Sequence, residues 1–191
     1  MGRVSQTQAQ ENRQRVVETA SRLFREQGTQ VSVADLMQAA GLTHGGFYKH
    51  FASKDALVDE ATGHAFAELG RLHTAGLERH AGQREAAQRE LIDTYLSVEH
   101  RDNAADGCPV AGLAADMARA SGHHEAHRVY AEGVRAFADA LATEDQDGIT
   151  RLCTMLGALV LARATKDSPL AEEILTTVRA ALTEGGTDSL G

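Results

Sequence analysis

The chain has 191 residues, 42% of them hydrophobic and 24% charged, and a formal net charge of −8 at pH 7. This balance is typical of a globular chain that can bury a core, and the longest apolar stretch, residues 155–162, is far below the roughly 18 residues of a membrane span. Two cysteines are too few for a disulfide scaffold, and the polar N-terminus does not resemble a signal peptide, so we expect a cytoplasmic protein without a membrane partner.

The amino-acid usage favours helix along almost the whole chain. There are only 2 prolines and no tryptophan, whereas alanine, leucine, glutamate, arginine and glutamine are abundant. The composition therefore predicts an all-α protein.

The first sixty residues predict four helices. The first repeats apolar residues with a helical period and ends at Gly28, and the second begins at a capping box opened by Ser32. After a glycine-containing turn, Thr43 is expected to cap a third helix over residues 43–51, and Ser53 a fourth. The second and third helices, with the turn between them, are spaced as in a helix-turn-helix.

Helix-breaking residues divide the rest of the chain into five further predicted helices. They are predicted at residues 83–98, 109–120, 123–141, 148–165 and 169–183. The apolar stretch in the fourth of these is hydrophobic on nearly all sides, which indicates burial in a bundle or a subunit interface. We thus expect about nine helices.

Charge is distributed unevenly along the chain. Residues 1–50 carry six basic and four acidic side chains, a balance of +2, so the remainder carries −10. Such a division is typical of a small module that contacts phosphates and is joined to an acidic domain that does not contact them.

The predicted third helix contains an unfavourable glycine pair. Gly45 and Gly46 each cost roughly 1 kcal/mol relative to alanine in a helix, and glycine allows close approach of the backbone to another surface. Nearby, Thr43, Tyr48, Lys49 and His50 can donate hydrogen bonds to phosphates or base edges. Phe47 and Phe51, four residues apart, are expected to face the supporting helices.

Residues 16–57 resemble the DNA-binding domain of the TetR family of transcriptional repressors. The resemblance rests on Ala20, Leu23, Phe24, Gly28, on residues 33–36 and 39–42, and on residues 46–51 and 53–57. It implies a homodimeric all-α repressor with a DNA-binding domain over residues 1–55 and an effector-binding and dimerisation domain over residues 56–191. The larger C-terminal domain would bind a small-molecule effector and dimerise through its last two helices. The repressor would release a palindromic operator in double-stranded DNA when the effector binds.

The resemblance also assigns roles to single positions. Thr43, His44 and Gly45 would reach base edges, Tyr48, His50 and Lys54 would contact phosphates, and Thr29 and Gln30 would approach the DNA backbone. The family often has lysine or arginine at the position of His44, so a direct arginine-to-guanine contact is absent. The alternative is that these residues have structural roles and do not contact DNA. Thr43 would then cap a helix, Tyr48 would be a half-buried aromatic residue, and Lys54 would be a surface charge.

Cys108 stands immediately before Pro109, at a predicted helix N-terminus. Unpaired amide groups and the helix dipole favour the thiolate there, so Cys108 is a candidate sensor of electrophiles or oxidants, as in some TetR-like repressors. The alternative is a small buried residue whose thiol pKa is raised by Asp106. Cys153, in the middle of an apolar helix, is expected in the core.

Other candidate effector residues lie on the helices of the second domain. His123 and His127 are four residues apart, as in a pair of metal ligands, and provide the less favoured alternative of a metal sensor. Aromatic and methionine residues at helical spacing line either a pocket or an ordinary core. The candidates are Phe66, Tyr95, Met117, His127, Tyr130, Phe137 and Met155.

The last two predicted helices are expected to form the dimer interface through Leu161, Ile174, Val178 and Leu182. Catalytic and phosphate-loop motifs are absent, so neither enzymatic activity nor a cofactor is expected. The alternative from a different class is an all-α interaction module without DNA binding, which the sequence of residues 43–54 disfavours.

Overall fold

The computed structural model describes residues 2–119 and 124–184, and this part of the chain is helical without strands, which confirms the predicted fold class. The described residues form nine α-helices and one 3₁₀ helix, joined by turns and loops. They are α1 (Gly2–Gln27), α2 (Val33–Ala39), the 3₁₀ helix (His44–Lys49), α3 (Lys54–Arg79), α4 (Arg84–Tyr95), α5 (Val98–Asp102), α6 (Pro109–Arg119), α7 (His124–Leu141), α8 (Gly148–Ala164) and α9 (Leu170–Glu184).

Local signals set several helix ends as predicted. The Ser32 hydroxyl accepts a hydrogen bond from the Asp35 amide, and the Ser53 hydroxyl accepts one from the Ala56 amide, both at 3.1 Å. Gly28 follows α1 with a φ of +85°, a conformation that glycine adopts without steric cost. The sequence therefore determines the start and end of the first helices locally.

Two predicted helices differ from the observed ones. The third helix is a 3₁₀ helix of six residues, because the glycine pair gives little support to an α-helix. The helix predicted over residues 83–98 ends at Tyr95, and Ser97 caps the separate short helix α5 by accepting a hydrogen bond from the His100 amide. The serine cap is the signal that sequence reasoning missed.

The buried side chains form two clusters, and the long helix α3 contributes buried residues to the first and the half-buried Phe66 and Leu69 to the second. The first cluster joins α1, α2, the 3₁₀ helix and the start of α3, and includes Leu113 and Met117 of α6. The second joins α4 with α6, α7, α8 and α9. Because α6 contributes to both clusters, it lies where the N-terminal helices meet the larger helical body.

Candidate DNA-binding face and central cavity

The 3₁₀ helix presents one buried and one exposed face. Phe47 and Phe51 are buried, as predicted, and their rings stack with centroids 5.4 Å apart. The opposite face exposes Thr43, His44, Gly45, Tyr48 and Lys49, and the Tyr48 side chain is 70% exposed. We call residues 43–50 the recognition segment, and this exposed face can meet a groove in DNA.

Two features of the recognition segment, at Thr43 and Gly45, have no role in the packing or capping of the described chain. Thr43 occupies the N-cap position, but its hydroxyl makes no capping hydrogen bond, so the capping role predicted for it is wrong. A Cβ atom at Gly45 would meet no atom within 4 Å. Neither the Thr43 hydroxyl nor the missing side chain of Gly45 is explained by packing within the described chain.

Arg13 of α1 supports the recognition segment from behind. Its guanidinium forms an ion pair with Glu60 of α3, lies over the Phe51 ring at 4.9 Å from the centroid, and donates from Nε to the His50 carbonyl at 3.4 Å. These contacts tie the end of the segment to both α1 and α3. The segment is therefore held rigidly against its supporting helices.

The remaining predicted DNA contacts surround this face. His50 and Lys54 are half-buried, and Gln30 is exposed. Thr29 is half-buried, and its amide donates to the Asp116 carboxylate on α6 at 2.8 Å. The turn before α2 is thus attached directly to the bridging helix α6.

A cavity of about 400 Å³, which we call the central cavity, lies between α3, α4, α5 and α7. Its wall is largely apolar and includes Leu69, Leu72, Leu77, Leu91, Phe137 and Ala140. His73, Tyr95, His100 and Cys108 also line it. This size and composition fall in the range of small-molecule sites.

Cys108 is 5% exposed and stands beside His100 at the start of α6. The Cys108 amide donates to His100 Nε2 at 3.1 Å, so the proton of the neutral imidazole is on Nδ1, which donates to the Tyr95 carbonyl at 2.7 Å. Burial raises the pKa of the Cys108 thiol, whereas the backbone amides of Ala111 and Val110 and the Tyr95 hydroxyl act in the opposite direction. The thiol is protonated at neutral pH.

The expected influence of Asp106 on that thiol is not seen. Asp106 is exposed, and its carboxylate pairs with Arg22 of α1 at 2.8 Å. It therefore connects the loop before α6 to the N-terminal helix.

Of the predicted effector residues, Tyr95, Phe137 and Cys108 line the central cavity and the others do not. Met117 is buried in the first cluster and Met155 in the second. Sequence reasoning missed His73 and His100, because isolated histidines carry no signal of burial beside a cavity.

The other predicted effector residues are engaged elsewhere in the helical body. Phe66 packs edge-on against Tyr130, whose hydroxyl donates to the Val110 carbonyl at 2.8 Å. His127 Nε2 lies 2.8 Å from the Met117 carbonyl. These contacts join α7 to α3 and α6 and leave the three side chains outside the cavity wall.

The described residues contain no group of three or more side chains suited to hold a metal ion. His123, one member of the predicted histidine pair, lies outside the described residues. No described helix combines the length and hydropathy that crossing a bilayer requires.

One face of α8 exposes an apolar stripe. Ile149, Cys153, Val160 and Leu161 are exposed along it, and a Cβ atom at Gly157 would meet nothing within 4 Å. The prediction that Cys153 is a core residue is wrong, because its side chain lies on the outer face of the helix. Leu161 belongs to the same face, whereas Ile174, Val178 and Leu182 are half-buried against the second cluster of their own chain.

Comparison with known proteins finds relatives of part of the chain. Residues 16–61 match the model of the bacterial regulatory proteins, tetR family. The HTH-type transcriptional regulator AcrR of Shigella flexneri is 32% identical over 93 residues, which cover 48% of this chain and 43% of that protein. The chain thus matches less than half the length of that relative.

Solved structures share the whole fold. The reduced form of NemR from E. coli aligns with a TM-score of 0.75 and 18% identity over 91% of this chain and 96% of the other. A TetR transcriptional regulator from Chloroflexus aurantiacus J-10-FL aligns with a TM-score of 0.73 and 23% identity over 93% and 97% of the two chains. At these identities the likeness concerns the fold.

Proposed function

We propose that this chain, which belongs to the TetR family of bacterial regulatory proteins, is a transcriptional repressor that binds a palindromic DNA operator as a homodimer and releases it when a small molecule binds. The exposed recognition segment is the observation that carries the proposal. The hydrogen-bond donors of the segment are exposed on the face opposite the buried Phe47 and Phe51. The open position of Gly45 allows the backbone to approach a DNA surface.

The roles within the segment follow from position. Thr43, His44 and Gly45 stand at the start of the 3₁₀ helix and would meet base edges. Tyr48, Lys49, His50 and Lys54 would contact phosphates, with Thr29 and Gln30 beside the neighbouring DNA backbone. Base contacts would set the operator sequence and phosphate contacts would set the register.

The apolar stripe on α8 supports the homodimer. Exposed Ile149, Val160 and Leu161 lie on one helix face, and such a patch on a globular chain is typical of an interface. A twofold partner would cover the stripe and bring two recognition segments to two half-sites of a palindrome.

The central cavity supports the effector role. It is large enough for a small molecule, and Cys108 in its wall immediately precedes α6, the helix that also contacts α1 and the turn before α2. An occupant that displaces the start of α6 would therefore alter the support of the DNA-binding helices.

Selection of duplexes from a random-sequence pool by the purified full chain tests the DNA-binding role. A palindromic consensus bound by the wild type, and lost in Tyr48→Ala, is the expected result. A pool that remains random after repeated selection would contradict the proposal.

A second candidate function is thiol-based sensing through Cys108. The position of this thiol in the cavity wall favours it, and the NemR structure that shares this fold is that of a reduced form. A neutral electrophile such as an enone would enter the cavity, the sulfur would add to its β-carbon, and the thiol proton would pass to the α-carbon. The adduct would then occupy the cavity permanently.

A further inference from the structure

Two polar atoms in the wall of the central cavity have no nitrogen or oxygen atom as a hydrogen-bond partner within the described part of the chain. They are the Tyr95 hydroxyl oxygen and His73 Nε2. Tyr95 is 4% exposed, and both residues belong to the cavity wall. A buried polar atom without a partner is rare in folded proteins, so each such atom beside a cavity indicates a missing partner.

The half-buried His100 and the buried Gln88, two other polar residues of the wall, already have hydrogen-bond partners. His100 uses both ring nitrogens, and the Gln88 amide donates to the carbonyls of Ala140 and Ala142. The charged side chains of the wall also have partners, which are opposite charges for all of them except Arg84. Their contacts are Arg79 with Glu90 at 3.2 Å, His80 with Glu90 at 2.8 Å, Arg84 with the Asp139 carbonyl at 2.6 Å, and Asp106 with Arg22 at 2.8 Å.

The two unpartnered groups are uncharged at neutral pH. Burial raises the pKa of the Tyr95 hydroxyl well above its usual value, and the nearby Cys108 thiol, a weak hydrogen-bonding group, raises it further. The hydroxyl therefore keeps its proton and can donate it to a stronger acceptor. Burial also lowers the pKa of His73, so its ring is neutral.

Phe137 holds these two side chains in one aromatic cluster. Its ring centroid lies 4.8 Å from that of His73 and 6.0 Å from that of Tyr95. The two polar groups therefore belong to the same part of the wall, and one molecule in the cavity can meet both.

We propose that the central cavity binds a neutral, mainly apolar molecule that carries a carbonyl-type oxygen, with the Tyr95 hydroxyl donating to that oxygen and His73 Nε2 providing a second polar contact. The apolar wall buries the body of the molecule, and the donor at Tyr95 orients it. A carboxylate is disfavoured at this position because Tyr95 and His73 are both uncharged, and a buried anion without a counter-charge is strongly unfavourable. This assignment rests on the proposed effector role of the cavity.

Benzophenone and diphenylmethane test the assignment as a matched pair of probes. They have the same two rings, and only benzophenone carries the carbonyl oxygen. Ligand-observed NMR titration of the full chain should give about fivefold tighter binding of benzophenone, as expected for one net hydrogen bond. The anionic 4-benzoylbenzoate should bind more weakly than benzophenone.

The variant Tyr95→Phe removes the hydroxyl and keeps the ring, so the two neutral probes should then bind equally. Tyr130→Phe is the matched control, because the Tyr130 hydroxyl already donates to Val110 and lies outside the cavity wall. That variant should keep the wild-type preference. Irradiation of bound benzophenone should attach its whole mass to peptides that contain cavity residues.

The assignment is overturned if the wild type binds diphenylmethane as tightly as benzophenone, if Tyr95→Phe keeps the preference, or if the carboxylate binds best. Release of operator DNA is measured separately on the same samples. Binding with the expected preference but without DNA release contradicts the effector role and supports the ligand assignment.

Discussion

The Arg25 guanidinium donates a hydrogen bond from Nη1 to the carbonyl oxygen of Gly107 at 3.0 Å. Arg25 belongs to α1, and Gly107 immediately precedes the cavity residue Cys108. The Arg25 side chain is only 3% exposed and also pairs with Glu68 of α3 at 3.1 Å. A buried charged group with several partners holds a fixed position, so α1, α3 and the start of α6 are joined at one point.

Gly112→Ala should disturb this junction. A Cβ atom at Gly112 would lie 2.9 Å from Arg25 Cα and 3.0 Å from the Arg25 carbonyl oxygen, so α6 must move away from α1. Overpacking of this kind lowers the free energy of unfolding by about 1–3 kcal/mol, which urea unfolding measures. Operator affinity should fall with it, since the support of the recognition segment changes.

Gly70→Ala is the matched control for that substitution. A Cβ atom at Gly70 in α3 would meet nothing within 4 Å, so the better helix propensity of alanine should raise stability by up to about 1 kcal/mol. Equal stability of the Gly112→Ala and Gly70→Ala variants would show that α6 does not pack closely against Arg25 of α1 at Gly112.

The recognition segment is expected to separate two kinds of DNA contact. Lys54→Ala should weaken binding to all duplexes alike and reduce the slope of log affinity against log salt concentration by about 1, as loss of one phosphate contact does. Thr43→Ala or His44→Ala should change the preferred sequence instead. Fluorescence anisotropy at several salt concentrations, with cognate and mismatched duplexes, distinguishes the two effects.

Gly45→Ala provides an independent check on the same face. The added methyl group meets no atom of the protein, so thermal stability should not fall. Operator affinity should fall, because the methyl group would stand between the backbone and the DNA. Unchanged affinity for the operator would remove Gly45 from the proposed contacts.

Local signals allowed much of the fold to be predicted, whereas features that depend on tertiary packing were missed. The Ser32 and Ser53 caps and Gly28 act within a few residues, so the sequence contains the whole interaction. The grouping of Tyr95 and His73 beside a cavity depends on residues far apart in the chain. The misplacement of Cys153 has another cause: an apolar face looks the same in a sequence whether it packs within its own chain or is exposed on the outer side of a helix.

The α8 stripe predicts that Cys153 reports on the oligomeric state. A homodimer through this face would cover Cys153, and Leu161→Glu would place a charge in the interface and dissociate it. Iodoacetamide should therefore modify Cys153 slowly in the wild type and at least several times faster in the variant. Sedimentation should show a wild-type dimer at micromolar concentration, and a monomeric wild type with rapidly alkylated Cys153 would refute the proposed interface.

Buried histidines predict a loss of stability in mild acid. Burial lowers the pKa of His100 below its ordinary value of 6.5, with a further decrease from Arg163 that the hydrogen bond to the Tyr95 carbonyl partly offsets. The unfolded chain then binds more protons than the folded chain, so stability is full above pH 6.5 and falls as the pH decreases towards the folded-state pKa. Urea unfolding at about pH 7.5 and about pH 5.5, on either side of that value, measures this change.

The variant His100→Gln should show a smaller change between those two pH values than the wild type, whatever its absolute stability. The matched control is His44→Gln, whose side chain is exposed on the recognition segment. It should keep the wild-type pH dependence. The same dependence in all three proteins would exclude His100 as the source.

The thiol-sensing function predicts a particular pattern of reactivity at Cys108. Because the thiol is buried in a largely apolar cavity wall, a charged reagent such as iodoacetate should leave it unmodified, whereas a small neutral enone that enters the central cavity should alkylate it. The raised pKa of the thiol leaves little of the reactive thiolate at neutral pH, so this alkylation should be slow and should become faster as the pH rises. A Cys153→Ser background restricts the reaction to Cys108, and mass spectrometry of the intact chain counts the adducts.

Alkylation of Cys108 should in turn release the operator. An adduct would crowd the start of α6, beside the Gly107 carbonyl that Arg25 binds, and a difference of about 1.4 kcal/mol between the free and DNA-bound conformations changes operator affinity tenfold. Cys108→Ser should then bind the operator normally and resist release by the enone. If the serine variant is released as readily as the wild type, or if Cys108 is unmodified when DNA is released, reversible binding in the cavity accounts for release without the thiol.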